Sequence, residues 1–311
     1  MHITDIPRRS PCDGGMTTAP SDLAPPITTT AIRARGGRWF LLLAFAGAWI
    51  PWGLAGAAGY SLDDPVVQLL SGGVVAPALA AIVVRRWITR EGFADSGLRP
   101  RIGRTRSSYS IAALLPLGIL AIALLLAAAL GWWDPLNRDF GSDDALFLAI
   151  ALVVPVVAAP LFWGEEFGWT SYLRDRLLPG RPVATTFATG LIWGVWHWPL
   201  PWVGYLGSTG TVVETIVAML LWLPLSILLE FVIGWLWVRG GSVWPAAILH
   251  SGSNLVVAAG LERFVDGPDT MATATTLLMC VAYLPVVAWI VVTTRRDGSR
   301  GSHPTTERTR R

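Results

Sequence analysis

Apolar residues do not alternate with polar ones along most of this chain. They run on for about twenty residues at a time, the length needed to cross the hydrocarbon core of a bilayer. Eight such runs are predicted as membrane helices: Arg38 to Gly59, Pro65 to Val84, Ser110 to Trp132, Ala145 to Trp163, Val183 to Tyr205, Val212 to Val238, Ser242 to Leu261 and Met271 to Val292. The expected fold class is all-α, a polytopic transmembrane helical bundle, because only helices and closed barrels satisfy their own backbone in lipid. The fourth run continues as an amphipathic stretch through Leu177. Residues 1–37 are rich in Pro, Thr, Ala and Asp without apolar periodicity and read as a disordered tail. The predicted organisation is that tail, amino-terminal spans over 38–142, a second transmembrane domain over 143–294, and a basic tail over 295–311.

Charge sharpens this picture. Of 311 residues, 53% are hydrophobic and 14% charged, against about 25% charged in soluble domains. All 24 basic residues are arginine, and with the amino terminus inside, every one except Arg138 and Arg263 falls on an inner segment. The outer loops carry Asp63, Asp64, Asp134, Asp143, Asp144 and Asp266 instead. That asymmetry predicts an even number of spans with both termini cytoplasmic. Arginine without lysine reads as a GC-rich coding style, hence a bacterial cell membrane, and implies no nucleic-acid partner. Ala55-Gly56-Ala57 resembles a signal-peptide cleavage site, but the long preceding tail and long apolar run favour a retained first span. Many of the 17 tryptophans, such as Trp132, Trp133 and Trp163, sit near span ends and are expected to anchor the interfaces. Cys12 and Cys280 offer neither a disulfide framework nor a zinc spacing. Neither a phosphate-binding loop nor a dinucleotide fingerprint is present.

Against this apolar background a few polar residues stand at membrane depth, where one charge costs about 2.5–3.5 kcal/mol. Glu165-Glu166 lies where the fourth run meets the inner side, in Trp163–Leu173 (WGEEFGWTSYL). Consecutive helix residues diverge, so one carboxylate is expected to face a cavity and the other to support a neighbour. Trp193 and His197 are four apart in Gly190–Pro201 (GLIWGVWHWPLP), so the indole can wall a pocket and orient the imidazole. His250 and Asn254 repeat that spacing in Gly241–Asn254 (GSVWPAAILHSGSN), with Ser251, Gly252 and Ser253 between them suited to close helix packing. His2 and His303 lie in the tails, so both remaining histidines of the four fall in these motifs. A carboxylate, two imidazoles and an amide suffice to hydrolyse a peptide bond. Glu165 is the candidate general base; His197 and His250 would position water or hold a divalent metal; Asn254 would steady the oxyanion. Any metal set would be Glu165, His197 and His250, a poor match to the three strong protein ligands that zinc prefers. Glu230, inside the sixth run, would either line the same cavity or pair with an arginine.

The three strings, in this order, resemble the signature regions of the CPBP intramembrane proteases, the CAAX-protease and bacteriocin-processing group also called Abi proteins. The resemblance covers Ala145 to Leu261. It implies endoproteolysis of a membrane-associated peptide or protein, with Glu165 and His197 activating water, His250 and Asn254 on the oxyanion side, and Glu166 in support. It leaves metal-dependent and glutamate-type hydrolysis both open. Two positions depart from the family pattern: Thr170 replaces the usual arginine, and Trp193 replaces phenylalanine. Arg174, one turn on, is the expected substitute partner for Glu166. The competing functions are a non-catalytic relative acting in bacteriocin immunity or as an adaptor, and a proton-coupled transporter. Against the transporter, no inverted internal repeat is visible.

Overall fold

The computed structural model describes residues 28–61, 64, 67, 73–203, 211–265 and 271–300. Residues 1–27 and 301–311, most of both predicted tails, lie outside the described residues. Every regular element among those described is helical. Helix α1 (Thr28–Ala57) starts well before the predicted Arg38. It is followed by α2 (Ala76–Val83) and α3 (Arg106–Ala129). Then come α4 (Ser142–Ala151), α5 (Val154–Val157) and α6 (Ala159–Glu166). The chain continues through α7 (Arg174–Leu177), α8 (Pro182–Trp196) and α9 (Val212–Gly240). It closes with α10 (Val243–Gly252), α11 (Ala259–Phe264) and α12 (Met271–Arg300).

Among the described residues, four helical stretches are long and apolar enough to cross a bilayer: Ile32–Ala57 in α1, α3, α9, and Thr273–Thr294 in α12. The fourth, fifth and seventh predicted runs are interrupted, and local chemistry explains most of the breaks. The fourth run divides into α4, α5 and α6; Pro155 and Pro160 sit in the first turns of the latter two. Proline has no N–H to give the preceding turn and is pre-set to begin a helix. The fifth stops at Trp196, with His197 as its last half-helical residue and Pro199 and Pro201 just beyond. The seventh runs through α10 and α11 with a π-helical segment, Ser253–Ala258, between them. The second is described chiefly as α2 and a π turn, Val84–Ile88; part of its predicted length is outside the described residues.

Small residues let the central helices approach closely. On α8, Gly190 and Gly194 are one turn apart and face α9. A Cβ on Gly190 would lie 2.6 Å from Ile227 Cα and 3.0 Å from the Ser226 carbonyl oxygen. The Ser226 hydroxyl donates back to the Gly190 carbonyl at 2.9 Å. This is the close backbone packing that small residues four apart permit between membrane helices. Similarly, a Cβ on Gly252 would lie 2.3 Å from Pro116 Cγ, which fixes where α10 crosses α3.

Helix α1 buries Phe40, Ala44, Ala48 and Trp52 along one stripe at four-residue spacing. Phe40 meets Trp169 and Tyr172 at 5.4 and 5.0 Å between ring centroids, and Trp52 meets Trp196 at 4.9 Å. Trp52, Trp169, Trp193 and Trp196 are at most 2% exposed, so these four indoles are core residues instead of interfacial anchors. The two arginines that break the charge asymmetry converge on one acid. Asp144 lies 2.7 Å from Arg263 and 3.6 Å from Arg138. The Gly141 N–H, followed by the Arg263 guanidinium, holds the Asp144 carboxyl below the usual carboxylate range.

The α8–α9 crossing gives a direct test. Gly190→Ala is expected to cost about 1–3 kcal/mol of stability through overpacking, read as a lowered thermal unfolding temperature in detergent. Ala184→Gly, on the same helix but away from that crossing, serves as the control for altered helix propensity.

Candidate functional site

Three interruptions of regular helix deliver the polar side chains. Glu165 and Glu166 are the last residues of α6, and the next seven, Phe167–Leu173, form a π-helical segment. His197 terminates α8. His250 is near the end of α10, and Asn254 stands on the π segment that follows. Inserted residues of this kind re-aim side chains and often mark functional sites. The packing of α6 and α8 onto their neighbours then brings the groups together.

Glu166 is the tied carboxylate. Its Oε1 lies 2.8 Å from His250 Nδ1, and its Oε2 accepts from the Thr170 hydroxyl at 2.6 Å. Thr170 thus keeps the one-turn contact expected of arginine, as a neutral donor. Glu165 is oriented differently: its Oε2 accepts from Trp193 Nε1 at 2.9 Å and lies 4.0 Å from His197 Nε2. His197 Nδ1 lies 2.8 Å from the Trp193 carbonyl. A carbonyl only accepts, so Nδ1 carries the hydrogen and the neutral ring has its lone pair on Nε2, toward Glu165. His250 and His197 both pack against the Trp193 ring, whose N–H bonds Glu165.

Aromatic rings wall this cluster. Phe162 and Trp193 approach His250 at 4.9 and 5.1 Å, while Trp193, Trp196 and Trp222 approach His197 at 5.3, 4.9 and 4.9 Å. Side-chain exposures of 11% for Glu165 and 8% for His197 make it a closed site. Two surface clefts near the start of α8 include Arg181 and Arg174 among their lining residues and leave the cluster untouched.

The structure therefore gathers Glu165, Glu166, His197 and His250. Asn254 is half-buried on the same helical stretch as His250, and its carboxamide makes no hydrogen bond among the described residues. Tyr283 donates to Ser253 Oγ at 3.2 Å. With Gly252 against Pro116, this supports the packing role expected of the small residues between them. Among the described residues, no three His, Cys, Asp or Glu side chains are grouped as metal ligands. Glu165, His197 and His250 do not fit zinc as arranged, because Glu165 Oε2 is committed to an indole donor and sits 4.0 Å from His197 Nε2.

One expectation is corrected here, and one open alternative is decided. Arg174 does not turn to Glu166. Its guanidinium bonds Glu230 Oε1 at 2.7 Å and Thr186 Oγ1 at 2.7 Å. Glu230 is accordingly half of a buried ion pair, and the cavity-lining alternative falls away. A Cβ on Gly234 would lie 2.2 Å from that guanidinium, so the glycine makes room for the pair. Trp222 beside His197 was not legible in the sequence, since nothing local distinguishes it from the other tryptophans.

The family described as "Type II CAAX prenyl endopeptidase Rce1-like" matches residues 144–256, a stretch that holds all three motifs and the cluster. No curated protein matches the chain.

The ion pair supplies a test. Glu230→Gln leaves Arg174 buried without its countercharge and is expected to cost about 3–5 kcal/mol. The double variant Arg174→Met/Glu230→Leu removes both charges and should recover most of that loss in the same unfolding assay.

Proposed function

From the premise that this chain carries the Rce1-like CAAX-protease region over residues 144–256, we propose that it hydrolyses peptide bonds of membrane-associated substrates within the bilayer. The observation that carries this reading is the Glu165–His197 gap of 4.0 Å. It is too long for a direct hydrogen bond. One water making two hydrogen bonds of about 2.8 Å spans it, with an angle near 90° at the water.

In the proposed reaction that water loses a proton to Glu165 while its oxygen attacks the scissile carbonyl. His197 Nε2 accepts the water's second O–H and fixes its lone pair. The oxyanion is met by His250 as an imidazolium, charge-balanced by Glu166, and by the Asn254 carboxamide, the one site residue whose polar group is uncommitted. Glu165 then gives its proton to the leaving nitrogen as the C–N bond breaks. Glu166, held by Thr170 and His250, keeps that imidazole in place. No step passes through a metal, because the donors do not fit one. The aromatic wall excludes bulk water, which strengthens each of these interactions.

Around this chemistry we read an eight-crossing bundle, four of whose crossings are made by broken helices, with both termini cytoplasmic in a bacterial membrane. The charge distribution supports that orientation. Suitable substrates are signal peptides, bacteriocin precursors or regulatory membrane proteins that enter between helices. The non-catalytic and transporter readings are not favoured, since the stretch that holds the cluster matches a protease family.

Comparing membrane peptides between cells with the wild-type protein and with Glu165→Gln tests the reading. Peptides that depend on the protein should fall by about 10²-fold or more in the variant; equal peptide sets would leave no protease. With purified protein, chelation should leave the rate unchanged. Loss restored by added zinc would assign the reaction to metal hydrolysis instead.

A further inference from the structure

Trp193 touches Glu165, His197 and His250, and does so with separable parts. Its indole N–H donates to Glu165 Oε2 at 2.9 Å. Its ring meets both imidazoles edge to face, at 5.3 Å and 71° for His197 and at 5.1 Å and 80° for His250. Its backbone carbonyl, which any residue would supply, bonds His197 Nδ1. The N–H contact is not a default of burial in this bundle: the buried indole N–H groups of Trp52, Trp133, Trp163, Trp169 and Trp222 have no partner among the described residues.

We propose that Trp193 is a positioning residue whose indole N–H sets the orientation of the Glu165 carboxylate. A glutamate side chain has three rotatable bonds, and this donor is the hydrogen bond that fixes the last of them. It turns Oε2 toward His197 Nε2, so the base faces the water that both groups hold. The assignment rests on the hydrolase reading. Removing the N–H leaves the ring edges and the His197 tautomer intact, yet frees the carboxylate to rotate. A displacement of the base by about 1 Å is enough to cost up to about 10²-fold in rate.

The test uses purified full-length protein in liposomes. Its probe is a quenched-fluorescence peptide copied from one whose release depends on Glu165 in the membrane comparison. Trp193→Phe keeps an aromatic edge without a donor. A second variant carries 3-benzothienylalanine at position 193, which keeps the bicyclic shape with sulfur in place of N–H. For each, kcat should fall about tenfold to a hundredfold, while KM stays within about twofold and the unfolding temperature holds. Unchanged kcat in the benzothienyl variant overturns the proposal, as does a rise in KM alone, since ring bulk would then be what matters. If Trp193→Phe fails to fold, the benzothienyl variant decides. A wild type no faster than Glu165→Gln would instead remove the hydrolase reading, and the positioning role with it.

Discussion

A carboxylate buried in an apolar bundle must find most of its hydrogen-bond donors inside the protein, because lipid supplies none. Glu166 meets that demand with His250 and Thr170, Glu165 with Trp193, and Glu230 with Arg174. Each contact except Glu166–Thr170 joins different helices. The polar groups therefore do more than occupy a site. They set which faces of α6, α8, α9 and α10 must meet, and a helix rotated by one residue would leave a charge unpaired at a cost of several kcal/mol.

Close approach of the backbone makes these pairings possible. Gly190 and Gly194 bring α8 against α9, Gly234 leaves space for the Arg174 guanidinium, and Gly252 seats α10 on Pro116. The π-helical segments after Glu166 and after Gly252 then shift the register so that side chains on either side of them face different neighbours. Seven residues beyond Glu166, the same continuous helix buries Leu173 in the core and turns Arg174 toward Glu230. One helical stretch thus serves the carboxylate cluster, the aromatic core and the second ion pair in succession.

Two of the donors that orient the site's carboxylates, the Thr170 hydroxyl and the Trp193 indole, are neutral groups. Where the family pattern that the motifs resemble has an arginine one turn after the second glutamate, this chain has Thr170, and where that pattern has phenylalanine it has Trp193 with its indole N–H. A hydroxyl and an indole orient carboxylates without neutralising them. The free guanidinium is used elsewhere, with Glu230, in a pair that stitches α7, α8 and α9 together.

Membrane class, helical content and the polar residues worth attention were legible from the chain itself, because apolar run length and rare charges are one-dimensional quantities. Glu165, Glu166, His197 and His250 stood out by being costly where they are. That Glu166 bonds His250 and that Glu165 bonds the Trp193 indole was not legible: those pairs depend on helix rotation and on π segments, which leave no pattern in hydropathy. The Arg174 partner was misassigned for the same reason, since spacing along one helix favours Glu166 while the true partner comes from a helix 56 residues away. Trp169 and Trp196 proved to be core, because Phe40 and Trp52 of α1 pack against them. Sequence alone determined what had to be buried and which groups would need partners; the tertiary structure decided the pairs, because a hydrogen bond is directional and hydrophobic burial is not.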